Sequence, residues 1–177
     1  MSRKPKTRTK YIKLNKIKCD TRYDSNLISK LIKVVMKNGK FNLATSIVYD
    51  AIDMFYDDYI KRVATADEKK IEKKVMVKLL FERLVKQGPD IEVKTKRLGG
   101  ANYQVPVPVN SERKITLVYR WLLKCARKRK GSRMVLNLGR ELTDLLSGRG
   151  SVVKEMENLR KMVSANAVFA NMRGRSS

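Results

Sequence analysis

Apolar residues recur at helical spacing through almost the whole chain, and a single stretch departs from that spacing. That stretch, residues 91–109, reads IEVKTKRLGGANYQVPVPV, with β-favouring residues on both sides of a glycine pair. One isolated hairpin cannot supply a core, because a two-stranded ribbon is marginal in water. Amphipathic helices can instead bury their apolar stripes against one another. The sequence therefore predicts an all-α fold, a six-helix bundle-like domain with one protruding two-stranded β-hairpin arm.

Six helical segments are separated by residues that start or stop helices. Asp24 or Ser25 is placed to cap the first, and TADE at residues 65–68 has the form of a capping box. Asn-Gly and Gly-Pro pairs end others, because they favour non-helical backbone. The predicted helices run from Ser25 to Asn38-Gly39, from about Leu43 to the acidic YDDY at 56–59, from Thr65 to Gly88-Pro89, from Ser111 to Lys130, from Ser132 to about Ser147, and from Ser151 toward Arg173.

The charge of the chain points to a polyanionic partner. The 177 residues include 41 Lys+Arg and only 17 Asp+Glu, a formal net charge of +24, although 42% of the residues are hydrophobic enough to form a core. Such an imbalance destabilises a compact state through self-repulsion unless a polyanion neutralises it. Nucleic acid is the leading partner. We expect no membrane partner, because no apolar run reaches about 18 residues and the cations are not confined to one amphipathic helix.

The catalytic repertoire of the chain is small. It contains no His, which excludes His-based acid–base chemistry, Ser-His or Cys-His nucleophiles and His metal ligands. Cys19 and Cys125 lack CxxC spacing, which predicts two free thiols in a reducing compartment and no metal site. No phosphate-cradling GxxxxGK[ST] motif is present. We therefore expect no catalytic residues, no cofactor and no enzymatic activity.

The segment 111–131, SERKITLVYRWLLKCARKRKG, separates cations from apolar residues most clearly. At about 100° per residue, one stripe roughly 60° wide holds Arg113, Arg120, Lys124 and Arg127, and the opposite side holds Ile115, Val118, Leu122 and Ala126. A solvated face usually interleaves acids for i,i+4 pairs, but Glu112 is the one acid here. The pattern favours phosphate binding. Trp121 lies between the stripes, where core packing is favoured over stacking on a base.

Two other basic segments support this interpretation. Residues 1–18 contain no acid and are predicted to be a tail that becomes ordered on nucleic acid, with an organellar targeting segment as the alternative. In the arm, Gly99-Gly100 supplies the tip, and Lys94, Lys96 and Arg97 predict an anionic support. Pro106 and Pro108 lie two residues apart, so both missing N–H donors can face the outer edge and block dimerisation through a third strand.

Four stretches resemble the small-subunit ribosomal protein seven family in its bacterial and organellar form. They are LISKLIKVVMKNGKFNLATSIVYDAI, IEVKTKRLGGANYQVPVPV, RWLLKCARKRKGSRMVLNLGRELTDLL and ENLRKMVSANAVFANMR. The resemblance implies a primary rRNA-binding protein that organises the head of the small subunit through the 3′ major domain. It also implies an arm that reaches toward the tRNA exit site, neighbouring small-subunit proteins as partners, and no catalysis.

The RNA-binding positions follow from the resemblance together with the cation stripe. They are Arg3, Lys4, Lys6, Arg8, Lys10, Lys37, Lys40, Lys94, Lys96, Arg97, Arg113, Lys114, Arg120, Lys124, Arg127, Lys128, Arg129 and Lys130, with Gly99 and Gly100 at the arm tip. The chain then divides into a basic tail at 1–23, a helical rRNA-binding domain at 24–173 with the arm at 91–109, and a flexible tail at 174–177. A long segment around 56–74, an extended basic N-terminus and a Lys-rich composition favour a mitochondrial ribosome, with a bacterial or plastid ribosome as alternatives.

Two other classes of function compete with this hypothesis. A helix-turn-helix DNA regulator would need short polar side chains such as Asn or Gln for base edges, whereas the segment 111–130 offers almost only Lys and Arg. A scaffold for acidic proteins would show a modest salt dependence and no nuclease-sensitive association.

Overall fold

The computed structural model describes residues 19–62, 68, 71–98 and 100–174. Its helices are α1 Asn26–Val35, α2 Phe41–Arg62, α3 Lys73–Lys86, α4 Ser111–Lys128, α5 Met134–Leu146 and α6 Ser151–Ala165, followed by a 3-10 helix at Ala167–Gly174. The strands are β1 Ile91–Leu98 and β2 Ala101–Pro108. The predicted all-α fold with one hairpin is confirmed. None of the described helices is long and apolar enough to cross a membrane.

The core forms where the apolar stripes of the helices meet. Phe55 of α2, Phe81 of α3, Leu122 of α4 and Leu142 of α5 are all at most 1% exposed. α5 approaches α2 closely at Gly139, where a methyl group would overlap the Met54 side chain and lie 3.3 Å from the Ala51 carbonyl oxygen. The described helices thus form a single core, which α4 enters with one side only.

The segment before α1 is attached to α2 by polar side chains. The Tyr49 hydroxyl donates to Asp20, and Arg22 lies 3.0 Å from the Asp53 carboxylate. Lys73 at the start of α3 contacts the same carboxylate at 2.9 Å. Asp53 of α2 therefore joins the segment before α1 and the start of α3 to α2.

Four predicted helix ends were wrong. α1 ends at Val35 and not at Asn38-Gly39, whose left-handed backbone (φ +52° and +72°) belongs to the turn before α2. α2 continues past the acidic YDDY to Arg62, which lies 4.0 Å from Asp58 in an i,i+4 pair. α3 begins at Lys73 and not at Thr65, because Glu68 of the expected capping box binds Tyr59 and Arg83. α6 ends at Ala165, where the Asn166 side chain donates to the Met162 carbonyl and the chain turns into the 3-10 helix.

The arm is a regular antiparallel ladder that runs from the pair Ile91–Pro108 to the pair Leu98–Ala101. β1 ends at Leu98 and β2 begins at Ala101, directly beside the Gly99-Gly100 pair that was predicted to form the tip. The Val109 amide donates to the Asp90 carbonyl, and because bonded pairs alternate in such a ladder, the nitrogens of Pro106 and Pro108 point away from β1. The prolines therefore cost the ladder no hydrogen bond.

Candidate nucleic-acid interface

The two sides of α4 have the predicted orientation. Val118, Leu122 and Ala126 are buried, whereas Arg120 and Arg127 are exposed. Trp121 is partly buried and packs against the core, as the core-packing interpretation required. Asn110 caps the helix by accepting a hydrogen bond from the Arg113 amide at 2.9 Å. The cations of α4 therefore lie on its outer face.

Several of these cations are bound by carboxylates from other elements. Glu155 of α6 lies 2.8 Å from the Lys124 ammonium and 3.9 Å from that of Lys128. The hydrogen bond from Lys124 lowers the pKa of the Glu155 carboxyl, and the carboxylate in turn raises the pKa of Lys124. On this side of α4 the positive charge serves the packing of α4 on α6.

Arg129, another of the predicted RNA-binding cations, pairs with two carboxylates of α5. Its guanidinium donates to Glu141, whose side chain is 1% exposed, and to Asp144. Its carbonyl accepts a hydrogen bond from the Asn137 side chain at 3.1 Å. Arg129 therefore neutralises a carboxylate buried between α4 and α5, and its role in RNA binding stays a prediction.

The base of the arm is also held by ion pairs. Glu92, with its side chain 8% exposed, lies 3.2 Å from Lys94 and 3.0 Å from Arg113 of α4. Burial by itself raises the pKa of the Glu92 carboxyl, but the hydrogen bonds from Lys94 and Arg113 outweigh it, and the pKa lies below its ordinary value. Lys114 lies 2.8 Å from Asp90 just before β1. These contacts join β1 to α4.

The C-terminal 3-10 helix supports the arm further toward its tip, which sequence reasoning missed. The rings of Tyr103 and Phe169 lie 5.4 Å apart, and the Asn166 side chain donates to that of Gln104 at 3.3 Å. Val105 is fully buried. The sequence predicted an anionic support because an isolated ribbon is marginal, but much of the support comes from the chain itself. No local signal could have shown this, because residues 103 and 169 are far apart in sequence.

A second set of cations has no carboxylate partner among the residues that the structure describes. We call Lys37, Lys40, Arg120 and Arg127 the four-cation surface. All four side chains are exposed, and Lys37, Lys40 and Arg127 line one depression between the α1–α2 turn and the outer face of α4. Lys130 after α4 and Arg97 near the arm tip are likewise exposed. Tertiary structure thus brings together cations that lie up to 90 positions apart in the sequence.

Other predicted site residues lie elsewhere. Lys96 is half-buried on β1 and has interactions of its own, and Gly100 is exposed with φ +88°. Arg3, Lys4, Lys6, Arg8, Lys10 and Gly99 lie outside the described residues.

A family model described as "Ribosomal protein S7p/S5e" matches residues 6–167. The chain belongs to this ribosomal protein family. The small ribosomal subunit protein uS7 of Hydrogenovibrio crunogenus is 40% identical over 154 residues, which cover 87% of this chain and 90% of that protein. The protein of the same name from Chloroflexus aggregans is 42% identical over 152 residues, which cover 86% and 88%. The predicted membership is confirmed.

Membership in the S7 family makes the chain a structural, non-enzymatic protein of the small ribosomal subunit. The matched region of this S7-family protein contains the arm, all six helices and the complete four-cation surface. Lys30 and Lys33 of α1 line a second depression, together with Glu112, Thr116 and Tyr119 of α4. Sequence reasoning missed these two lysines, although both lie between the apolar residues that form the stripe of α1.

Proposed function

We propose that the chain is a primary rRNA-binding protein that organises the head of the small subunit through the 3′ major domain, next to other small-subunit proteins. The observation that carries this proposal is the four-cation surface. Neighbouring cations on α4 neutralise carboxylates of the same chain, whereas Lys37, Lys40, Arg120 and Arg127 have no such partner in the described part of the chain. Their charge remains available for phosphate groups, which attract exposed Lys and Arg irrespective of sequence.

The composition of α4 supports RNA over a DNA operator. A recognition helix in the major groove uses side chains such as Asn or Gln to read base edges. Ser111–Lys128 contains neither. Exposed Arg and Lys side chains fix a protein on a phosphate backbone but carry little base information. A folded RNA that is recognised through its shape fits such a surface better.

Sedimentation of the tagged protein from a lysate tests the proposal. We expect the protein to migrate with small ribosomal subunits on a sucrose gradient and to move to the top of the gradient after RNase treatment. A scaffold for acidic proteins would keep its position after RNase. Retention of a fast-sedimenting position in the digested sample would therefore contradict the proposal.

We further propose that the arm reaches the tRNA exit-site region. Arg97, Gly100, Ala101 and Asn102 are all exposed at the end of a ladder whose base is fixed to the helical core. An exposed tip on an anchored base suits contact with a ligand beyond the rRNA-binding surface.

A shortened arm tests this placement. Deleting Arg97, Leu98, Ala101 and Asn102 removes the last two residue pairs, keeps the loop, and leaves the remaining register and faces unchanged. The arm becomes about 7 Å shorter. We expect rRNA binding to persist, because the four-cation surface is untouched, while ribosomes with the short arm retain exit-site tRNA or the reading frame abnormally. Arg97→Gln on a full-length arm separates lost charge from lost length, and short-arm ribosomes that retain exit-site tRNA and the reading frame as the wild type does would disprove the placement.

The compartment is a separate proposal. The relatives named above are bacterial proteins, which supports a ribosome of bacterial type, a type that mitochondria also contain. The basic, acid-free residues 1–18 favour a mitochondrial ribosome. Fluorescence microscopy of the chain with a C-terminal tag in its native cell tests this, and signal outside mitochondria would reject it.

A further inference from the structure

The depression on the four-cation surface has an apolar floor. It has a volume of about 330 Å³, within the range of sites that hold small organic groups. Leu43 and Ile47 of α2 and Leu123 of α4 line it, and the cations Lys37, Lys40 and Arg127 stand among them. No acidic side chain of the described residues belongs to the lining. The depression therefore combines an apolar surface with side chains that are all positively charged where they carry a charge.

Two large apolar side chains are exposed at or next to this depression. Leu43 of the lining is 57% exposed, and Phe41, next to the lining residue Lys40 at the first position of α2, is 48% exposed. Exposed apolar groups that are rimmed by polar ones mark interaction sites. A ligand that covers Leu43 and Phe41 would account for their exposure.

We propose that this depression binds an unpaired base of an RNA strand, with the flanking phosphates on Lys37, Lys40 and Arg127. The inference rests on the proposed function, that the four-cation surface binds rRNA. It adds that the bound segment includes a base outside a helix. A base in an A-form duplex hides its faces in the stack and cannot enter a depression, whereas an unpaired base can stack on an aromatic ring and lie on apolar side chains.

The charge pattern favours a nucleotide over a protein segment as the occupant. A nucleotide places an apolar ring system between two phosphates that are one backbone repeat away on either side. The depression offers both kinds of group, because the apolar side chains of Leu43, Ile47 and Leu123 line it together with the cations Lys37, Lys40 and Arg127. An acidic peptide would need donors for its backbone groups, and the lining supplies hardly any beyond its cations and Asn38.

The experiment compares two RNA strands with the same number of phosphates. One is a short single-stranded RNA with natural bases, and the other has abasic nucleotides at its centre. Binding of each to the full-length protein is measured by fluorescence anisotropy. We expect the wild type to bind the natural strand about tenfold more tightly, as stacking of one base provides.

The test variant is Phe41→Ala with Leu43→Ser, and the matched control is Val75→Ser on α3, where the valine is 46% exposed. All three side chains are about half in solvent, so the variants should keep the wild-type far-UV spectrum. We expect the double variant to bind the natural strand as weakly as the abasic one, with unchanged affinity for the abasic strand. The control should keep the wild-type preference.

The proposal is overturned if the wild type shows no preference for the natural strand, if the double variant keeps the preference, or if it loses affinity equally for both strands. Failure of the proposed function looks different. In that case a variant with Gln at all four positions of the four-cation surface would bind both strands as the wild type does.

Discussion

Replacing Arg129 by Met is expected to lower the free energy of unfolding by about 3–5 kcal/mol, the usual cost of removing one partner from a buried ion pair. The carboxylate of Glu141 is buried between α4 and α5, and Arg129 is the cation that neutralises it. Without the guanidinium, the folded state must either hold an uncompensated charge or protonate the carboxyl. Urea unfolding followed by circular dichroism measures the loss.

A double variant and a matched control identify the cause. Adding Glu141→Leu to Arg129→Met replaces the pair by apolar groups and should recover most of the lost stability, because apolar replacements of buried pairs are often neutral or better. Arg127→Gln removes an equally charged but exposed side chain and should change the stability by less than about 0.5 kcal/mol. If Arg129→Met were as mild as Arg127→Gln, the arginine would be a surface cation available to RNA, contrary to its contacts.

The second large effect is expected in RNA binding. Replacing Lys37, Lys40, Arg120 and Arg127 by Gln should reduce the magnitude of the slope of log K against log salt concentration by about 3. Each phosphate contact contributes roughly 0.7 to 0.9 to that slope through counterion release. An in vitro transcript of the 3′ major domain is the appropriate ligand, titrated at several salt concentrations. Stability should be nearly unchanged, because none of the four side chains is buried.

The matched control removes the same charge from other helices. Lys74 and Lys86 of α3 and Lys154 and Lys161 of α6 form no ion pair within the described part of the chain. Their replacement by Gln gives an equal change in net charge. We expect this control to shift affinity only weakly and to keep most of the slope. Equal slopes for the two quadruple variants would mean that total charge, and not the four-cation surface, determines binding.

The fold was predictable because its signals are local. Apolar residues at helical spacing determined the orientation of α4, so that Leu122 is buried and Arg120 exposed. The alternation around Gly99-Gly100 gave the hairpin. The ends of α3 and α6 were wrong because tertiary contacts decide them: Glu68 binds Arg83, and Asn166 binds Gln104.

The roles of the cations could not be predicted in the same way. Within α4 the sequence shows Lys and Arg with almost no acids, which suggested one continuous phosphate-binding row. The structure divides that row, because Glu92 and Glu155 reach it from a strand and a helix that are distant in sequence. Which cation is paired depends on how α4 packs against α6 and the arm. Local composition therefore predicted that the helix binds polyanions, but not which of its charges remain available.

The arm is a projecting ribbon that the rest of the chain holds at two points, which we call the inner and the outer pivot. The inner pivot is the Glu92–Arg113 pair, and the outer one is the contact of Phe169 with Tyr103, two residue pairs before the last pair of the ladder. With the outer pivot in place, the overhang is short and the tip is stiff. A partner that draws Phe169 away would lengthen the overhang from two residue pairs of the ladder to six and let the tip swing. The compliance of the tip is therefore set by Phe169, which lies close to the C-terminal end of the described residues.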